Sequence, residues 1–325
     1  MTIPALAIFF IGKYTSISAF IKPDKNKIQE EDALKFLFEC EYKNVDCSEK
    51  GLQLNLSTGK HNTLELLQKM MQKGLVERKD NLYFLTLKGK SKALKIIRIH
   101  RVYEKYLAET TGEKEENWHK KADFEEHFMS IEQANELAAA IGNPVFDPHG
   151  DPIPTISGNM PRYEGSMLYE CRQGDNLTVI HVEDEPVEIF KKLTVAGIYP
   201  GTNLYLEAAD GKKFIVFVNG LPVILSKLEA QNITVKVIDI DVREDRYIHL
   251  GKLKKGQKAV IVKLSPESRG LERRRFLDLG LVPGNDISVA LESPLSNIRA
   301  YNVLDTKIAL RHYQAQKIFV KPVEE

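Results

Sequence analysis

Hydrophobic positions along the first third of the chain recur mostly with helical spacing. After a polar stretch, KPDKNK, residues Ala33, Leu34, Leu37 and Phe38 lie on one helical face between Glu30 and Cys40. SEKGLQLNL predicts a second, short helix. STGKHNTLELLQKMMQKG predicts a third, with a Ser/Thr cap, Leu64, Leu67 and Met71 on one face, and a stop at Gly74. LVERKDNLYFLTLKG then alternates on both sides of Lys79-Asp80-Asn81, which is a β-hairpin signal. Three helices and a hairpin are the plan of a winged helix-turn-helix, whose third helix enters the DNA major groove.

From Lys90 a long helix is expected through SKALKIIRIHRVYEKYLAETTG to Gly112, then another over WHKKADFEEHFM, Trp118 to Met129. SIEQANELAAAIG opens with the capping-box pair Ser130-x-x-Gln133 and ends at Gly142. Its Ala/Leu/Ile face suits close helix packing, such as a dimer interface. NPVFDPHGDPIPTISGNMP is rich in Pro and Gly and marks a domain boundary. Beyond it the chain repeats itself. RQGDNLTVIHV matches KKGQKAVIVKL, LTVAGIYPGTNLYL matches FLDLGLVPGNDISV, and VILSKLEAQNITV matches IALRHYQAQKIFV. Short alternating strands with P-G turns predict two tandem SH3-like small β-barrels. The fold class expected is therefore multidomain α+β.

At 325 residues, 43% hydrophobic and 28% charged, the chain fits a folded multidomain protein. Its net charge of +1 hides an asymmetry. Residues 57–98 carry ten Lys/Arg against three acidic residues, a net of +7, whereas 99–152 carry five against twelve, a net of −7. A basic block suggests a polyanion partner, and an acidic one suggests cations. Cys40, Cys47 and Cys171 form no C-x-x-C pair, which argues for a reducing compartment and against a thiolate zinc site. IPALAIFFIGKYTSISAFI, near the start, is about long enough to span a bilayer but has Lys13 near its centre. A membrane anchor over residues 1–21 ranks behind a packed or membrane-grazing segment, and the main chain reads as cytoplasmic. The expected divisions are 1–24 for this segment, 25–95 for the winged helix, 96–152 for the helical domain, and 153–245 and 246–325 for the two repeats.

The helical domain carries the chemistry. Read as one helix, His119, Asp123, Glu126 and His127 stand at i, i+4, i+7 and i+8 on a single face, and His100 and Glu104 stand at i and i+4 on the long helix. Singly, each of these reads as a surface salt-bridge member. Together they offer two sites for a divalent metal, one from His100, Glu104 and His119, the other from Asp123, Glu126 and His127 with Asp32 from the N-terminal helix. Oxygen and nitrogen donors without sulfur favour Mn²⁺ or Fe²⁺, with Zn²⁺ or Co²⁺ able to compete in vitro.

IRIHRVYEKYLAE, WHKKADFEEHFM and FDPHGDPIP, in that order after a winged helix, resemble the diphtheria-toxin-repressor family of metal-dependent transcriptional repressors. The tail RRRFLDLGLVPGNDISV…IALRHYQAQKIFV resembles the FeoA domain, first named from a ferrous-iron transport accessory protein. The resemblance implies a homodimer that binds a double-stranded DNA operator when metal ties the N-terminal helix to the helical domain. It makes His100, Glu104 and His119 ancillary-site ligands, and Asp32, Asp123, Glu126 and His127 primary-site ligands. Glu183 matches a further contact to the ancillary metal. Asp123 stands where iron-responsive members have Cys and manganese-responsive members have Glu. Lys35, one turn after Asp32, stands where the manganese branch has another acid. By position, Gly59, Lys60, His61, Asn62 and Thr63 would meet bases and phosphates, and Lys88, Lys90 and Lys92 would meet phosphates beside the wing. The expectation is a transcriptional repressor of metal-ion homeostasis, not an enzyme. The alternatives are a membrane-tethered metal sensor acting through protein contacts, and, behind it, a metal hydrolase with Glu126 as general base.

Overall fold

The computed structural model describes residues 24–162, 164–242, 247–292 and 297–323. The expected anchor over residues 1–21 lies outside them. No helix of the described residues is long and apolar enough to cross a membrane. The chain divides into two compact units. One holds the chain up to Ala108 with Glu113–Asp147 and Pro152–Arg162, and the other holds Glu109–Gly112, Pro148–Asp151 and the chain beyond Arg162.

The first unit begins with α1 (Lys25–Tyr42), longer than its apolar stripe predicts because the Asp24 carboxylate caps it, accepting from the Asn26 N–H at 2.9 Å. It is followed by α2 (Glu49–Asn55), α3 (Lys60–Gln72), and the hairpin β1 (Val76–Lys79) and β2 (Leu82–Leu85). The hairpin pairs Val76 with Leu85 and Lys79 with Leu82 around a two-residue turn in which Asp80 has φ 54°. The α3 N-cap is Gly59 rather than the expected Ser or Thr. The inward stripe of α3 keeps the expected Leu67 but has Thr63 and Met70 in place of the expected Leu64 and Met71. This stripe leaves His61, Asn62, Glu65, Gln68 and Lys69 exposed. Leu34, Leu37, Leu52, Leu67 and Met70 are almost completely buried in the core of this winged helix. Each contributes roughly 1.5–3 kcal/mol of burial.

The long helix α4 (Leu87–Thr110) starts three residues before the expected Lys90 because Thr86 caps it, its hydroxyl accepting from Gly89 N–H at 3.1 Å. The next helix, α5, covers only Trp118–Glu125, so the expected twelve-residue helix ends early and Glu126 is its C-cap. His127 therefore lies in a turn, not one face-turn further along α5. The Ser130/Gln133 capping box opens α6 (Ile131–Ala140) as predicted.

The second unit contains two six-stranded antiparallel sheets. The first has the order β3-β8-β4-β5-β6-β7, built from β3 (Ser166–Met167), β4 (Asn176–Val182), β5 (Asn203–Ala209), β6 (Lys213–Val218), β7 (Leu221–Ser226) and β8 (Ile233–Val237). The second has the order β9-β14-β10-β11-β12-β13, built from β9 (Ile248–His249), β10 (Lys258–Leu264), β11 (Asp286–Glu292), β12 (Ile298–Val303), β13 (Thr306–Arg311) and β14 (Ile318–Pro322). The two orders are identical, which is the expected duplication. Even the irregularities repeat: the β4–β8 register shifts between Val179 and His181, and the β10–β14 register between Ile261 and Lys263. Gly201 and Gly284 hold φ of 89° and 95° in the matching P-G turns, a backbone that L side chains rarely adopt. The sheets are open rather than closed barrels. Their outermost strands lie at opposite edges, and no pairing joins those edges among the described residues.

Candidate metal centre

Three elements of the first unit bring the candidate ligands together. Helix α1 contributes Glu31, Asp32 and Lys35, α4 contributes His100 and Glu104 at i and i+4, and α5 contributes His119 and Asp123 at i and i+4. The turn after α5 adds Glu126 and His127. Glu31, His100, Glu104, Glu126 and His127 are buried, and none of them is a residue type that a helix core accepts without compensation.

The first cluster holds His100, Glu104 and His119, each offering a donor atom within 4.8 Å of the others. Glu104 lies between the two rings, with Oε2 3.8 Å from His100 Nε2 and Oε1 3.9 Å from His119 Nδ1. The rings stand edge-to-face with centroids 4.9 Å apart. Asp123 Oδ2 is 3.3 Å from His119 Nε2. On its other side His100 Nδ1 lies 2.6 Å from Glu126 Oε2. A carboxylate only accepts, so Nδ1 donates in this contact and Nε2 is the ring nitrogen turned to Glu104. This is the carboxylate–histidine arrangement that orients a metal-binding imidazole. Two imidazoles and carboxylates at these separations fit a divalent cation of borderline hardness.

The second cluster departs from the expected primary site. Lys35 Nζ stands inside it, 2.9 Å from Asp123 Oδ1, 3.1 Å from Glu126 Oε2 and 3.1 Å from His100 Nδ1. Asp123 therefore faces His100 and Lys35 rather than joining His127. His127 is held instead by α1: Nδ1 lies 2.9 Å from Glu31 Oε2, Nε2 lies 3.3 Å from Asp32 Oδ1, and its backbone carbonyl accepts from Lys27 Nζ at 2.7 Å. Glu31 was not among the expected residues. Its signal in the sequence was a carboxylate three positions before Leu34, on the inward stripe.

The electrostatics follow this packing. Burial works against the Lys35 ammonium, but the Glu126 and Asp123 carboxylates outweigh it and raise its pKa above the ordinary lysine value. Burial likewise opposes ionisation of Asp123 and Glu126, and Lys35 with His100 holds both below the ordinary carboxylate range. Burial also opposes charge on His127, yet hydrogen bonds to Asp32 and Glu31 push it up to about 9.

The comparisons with known proteins agree with this geometry. Residues 86–155, which carry every α4 and α5 ligand candidate, match the iron dependent repressor metal binding and dimerisation domain. Residues 167–237 and 248–322 each match the FeoA domain. The chain thus carries the metal binding and dimerisation domain of the iron-dependent repressors followed by two FeoA domains. Its relatives include the iron-dependent repressor IdeR of Mycobacterium leprae, 26% identical over 170 residues that cover 48% of this chain and 74% of that one. A solved manganese-dependent transcriptional repressor in complex with manganese is 28% identical with a TM-score of 0.60, covering 64% of this chain and all of that one. The Fe(2+) transport protein A/Fe(2+) transporter FeoB fusion protein of Porphyromonas gingivalis is 38% identical over 74 residues, 23% of this chain and 8% of that one.

Of the residues expected to meet DNA, Gly59, Lys60, His61 and Asn62 are exposed at the start of α3. Thr63 is not. It is fully buried, its hydroxyl 2.9 Å from that of Thr58 and donating to Gly59 O at 3.2 Å, so it braces the helix start instead of facing outward. Lys88 and Lys90 are exposed beside the hairpin, with Lys88 Nζ on Lys73 O at 2.9 Å and Lys90 Nζ 3.7 Å from Glu41 Oε2. Lys92 is bound to the buried Glu30 carboxylate at 2.8 Å, which Lys73 also binds. It pins α1 to α4 rather than standing free for a phosphate. Glu183 lies in the second unit just after β4, its N–H donating to Asn232 O at 2.9 Å.

Proposed function

We propose that the protein is a metal-dependent, DNA-binding transcriptional repressor that works as a homodimer in metal-ion homeostasis. The observation that carries this reading is the His100–Glu104–His119 cluster, set within the segment that matches the repressors' metal-binding and dimerisation domain. His100 and Glu104 on α4 and His119 on α5 would hold the cation, with Asp123 beside them. Glu183 is a further candidate by resemblance alone. The donor set suits Mn²⁺ or Fe²⁺, and Zn²⁺ or Co²⁺ in vitro. A bound divalent cation would supply positive charge between α4 and α5, where Glu104 and Asp123 both lie beside His119. Glu31 and Asp32 on α1 bind His127 in the turn after α5, and α1 packs in the same core as the reading helix α3.

The exposed Gly59, Lys60, His61 and Asn62 would meet the operator, with backbone N–H groups at the helix start on a phosphate and Asn62 available for bidentate pairing with adenine. Lys88 and Lys90 would add sequence-independent phosphate contacts. Metal can change DNA affinity only by binding the DNA-competent state better than the other state. The reading is of a regulator, not an enzyme.

The test is DNA binding by the purified full chain to its own upstream region at fixed salt. It compares metal-free protein with Mn²⁺, anaerobic Fe²⁺ and Zn²⁺, alongside the double variant His119→Ala/Glu104→Ala. Tight binding only with metal, lost in the variant, is expected. DNA affinity that ignores metal while the cluster binds it would refute the repressor reading.

A further inference from the structure

We infer that the Lys35 ammonium is the resident cation of the Asp123–Glu126–His100 cluster, so that this cluster takes no divalent metal and α1 is tied to α5 without one. The inference rests on the metal-dependent reading above only for the meaning of the neighbouring His100–Glu104–His119 cluster.

An ammonium has three N–H donors and no acceptor. Lys35 spends them inside the cluster on carboxylate oxygens, Asp123 Oδ1 at 2.9 Å, Glu126 Oε2 at 3.1 Å and Glu126 Oε1 at 3.4 Å, with His100 Nδ1 3.1 Å away. Its side chain is only 17% exposed, and that of Glu126 is 1% exposed, so both charges are withdrawn from water and compensate each other. The oxygens a divalent ion would need here are the ones already engaged. Glu126 Oε2 is shared with His100 Nδ1 at 2.6 Å, and Asp123 Oδ1 is on Lys35. A divalent ion entering beside this ammonium would meet a like charge at contact distance. The remaining grouping, Asp32 with Glu126 and His127, draws on the same Glu126, and both His127 nitrogens face α1 carboxylates.

Glu126 thereby changes role. It is a positioning residue: Lys35 fixes it, and it fixes His100 with Nε2 turned to the other cluster. Lys35 also joins partners 65 to 91 positions away in sequence, which makes it a direct strut between the winged helix and the helical domain.

The experiment uses Mn²⁺ alone as probe. Free Mn²⁺ is followed by electron paramagnetic resonance during titration of the full chain, and unfolding is followed by Trp118 fluorescence in chelator. Wild type is expected to bind one equivalent, weakened at least tenfold in His119→Ala. Lys35→Met is expected to gain a second equivalent and to melt lower than wild type in chelator, with Mn²⁺ restoring much of the loss. Lys35→Arg, which keeps the charge, should retain the wild-type stoichiometry. If Lys35→Met does not fold, Lys35→Gln, with N–H donors and no charge, carries the same expectation. Two equivalents in wild type, or one equivalent and unchanged melting in the uncharged variants, overturns the inference. No Mn²⁺ in wild type but one equivalent in Lys35→Met would sustain it, while removing the metal-dependent repressor reading.

Discussion

Helix propensity and packing make opposite predictions at Gly89, in the first turn of α4. By propensity alone, Gly89→Ala should stabilise the helix by about 1 kcal/mol. The structure sets the opposite sign. A Cβ built on Gly89 falls 2.0 Å from Leu75 O and 3.0 Å from Leu75 C, both backbone atoms that no rotamer change can move. Relief requires a shift of more than about 1 Å between α4 and the β1 end of the hairpin, a strain in the roughly 1–3 kcal/mol range of overpacked cores. Leu75 O also accepts from Thr86 N at 3.0 Å and Thr86 Oγ1 at 3.2 Å, and disturbing these costs about 1 kcal/mol each. The net expectation is a destabilisation of roughly 2–3 kcal/mol, or about 6–9 °C in melting temperature for a unit of this size. Gly51→Ala in α2 is the control: its nearest neighbours, Phe36 and Ser48, lie 3.6 Å away, so the propensity gain should survive at about 0.5 kcal/mol. Trp118, the only tryptophan, is buried in the same unit with its indole N–H on Glu113 O at 2.9 Å, so its fluorescence in urea unfolding reports this unit selectively. If Gly89→Ala proves as stable as wild type, or both variants move together, the steric reasoning is wrong.

Two further outcomes test other parts of the chain. Burial lowers the His249 pKa from its ordinary value, against the pull of the Gln316 carbonyl that its ring bonds and with help from Lys252, so the folded state prefers the neutral ring. Its stabilising contribution is complete above about 6.5 and is lost as pH falls through the lower folded value. Melting of the second FeoA domain should therefore drop on acidification through this window, and His249→Gln should flatten that slope. Burial raises the thiol pKa values of Cys40 and Cys47, and that of Cys171 to about 11. Iodoacetamide at neutral pH should thus label Cys171 slowly in the native protein, with Cys40 and Cys47 reacting only on unfolding. Rapid labelling of Cys40 or Cys47 under native conditions would contradict their burial.

Local spacing along the chain was enough to determine much of this protein. The helix, helix, helix and hairpin order, the Ser130/Gln133 cap and the duplication of the tail all follow from periodicity and turn chemistry, because these are short-range properties. The placing of His100 and Glu104 on one helix face was legible for the same reason, whereas the approach of His119 from another helix does not follow from spacing. Where helices begin was less legible: Asp24 and Thr86 lengthen α1 and α4 through caps that lie outside the apolar stripes. The end of α5 at Glu125 was hidden too, since WHKKADFEEHFM contains no Gly or Pro to stop it. Only tertiary structure decided how the acidic face is divided. Lys35, Asp123 and Glu126 meet across 88 and 91 positions of sequence, and no periodicity within a helix records which side chain a distant helix will insert. Burial is the physical reason the outcome is sharp. Carboxylates withdrawn from water require a cation, and the packing of α1 against α5 sets Lys35 in that place.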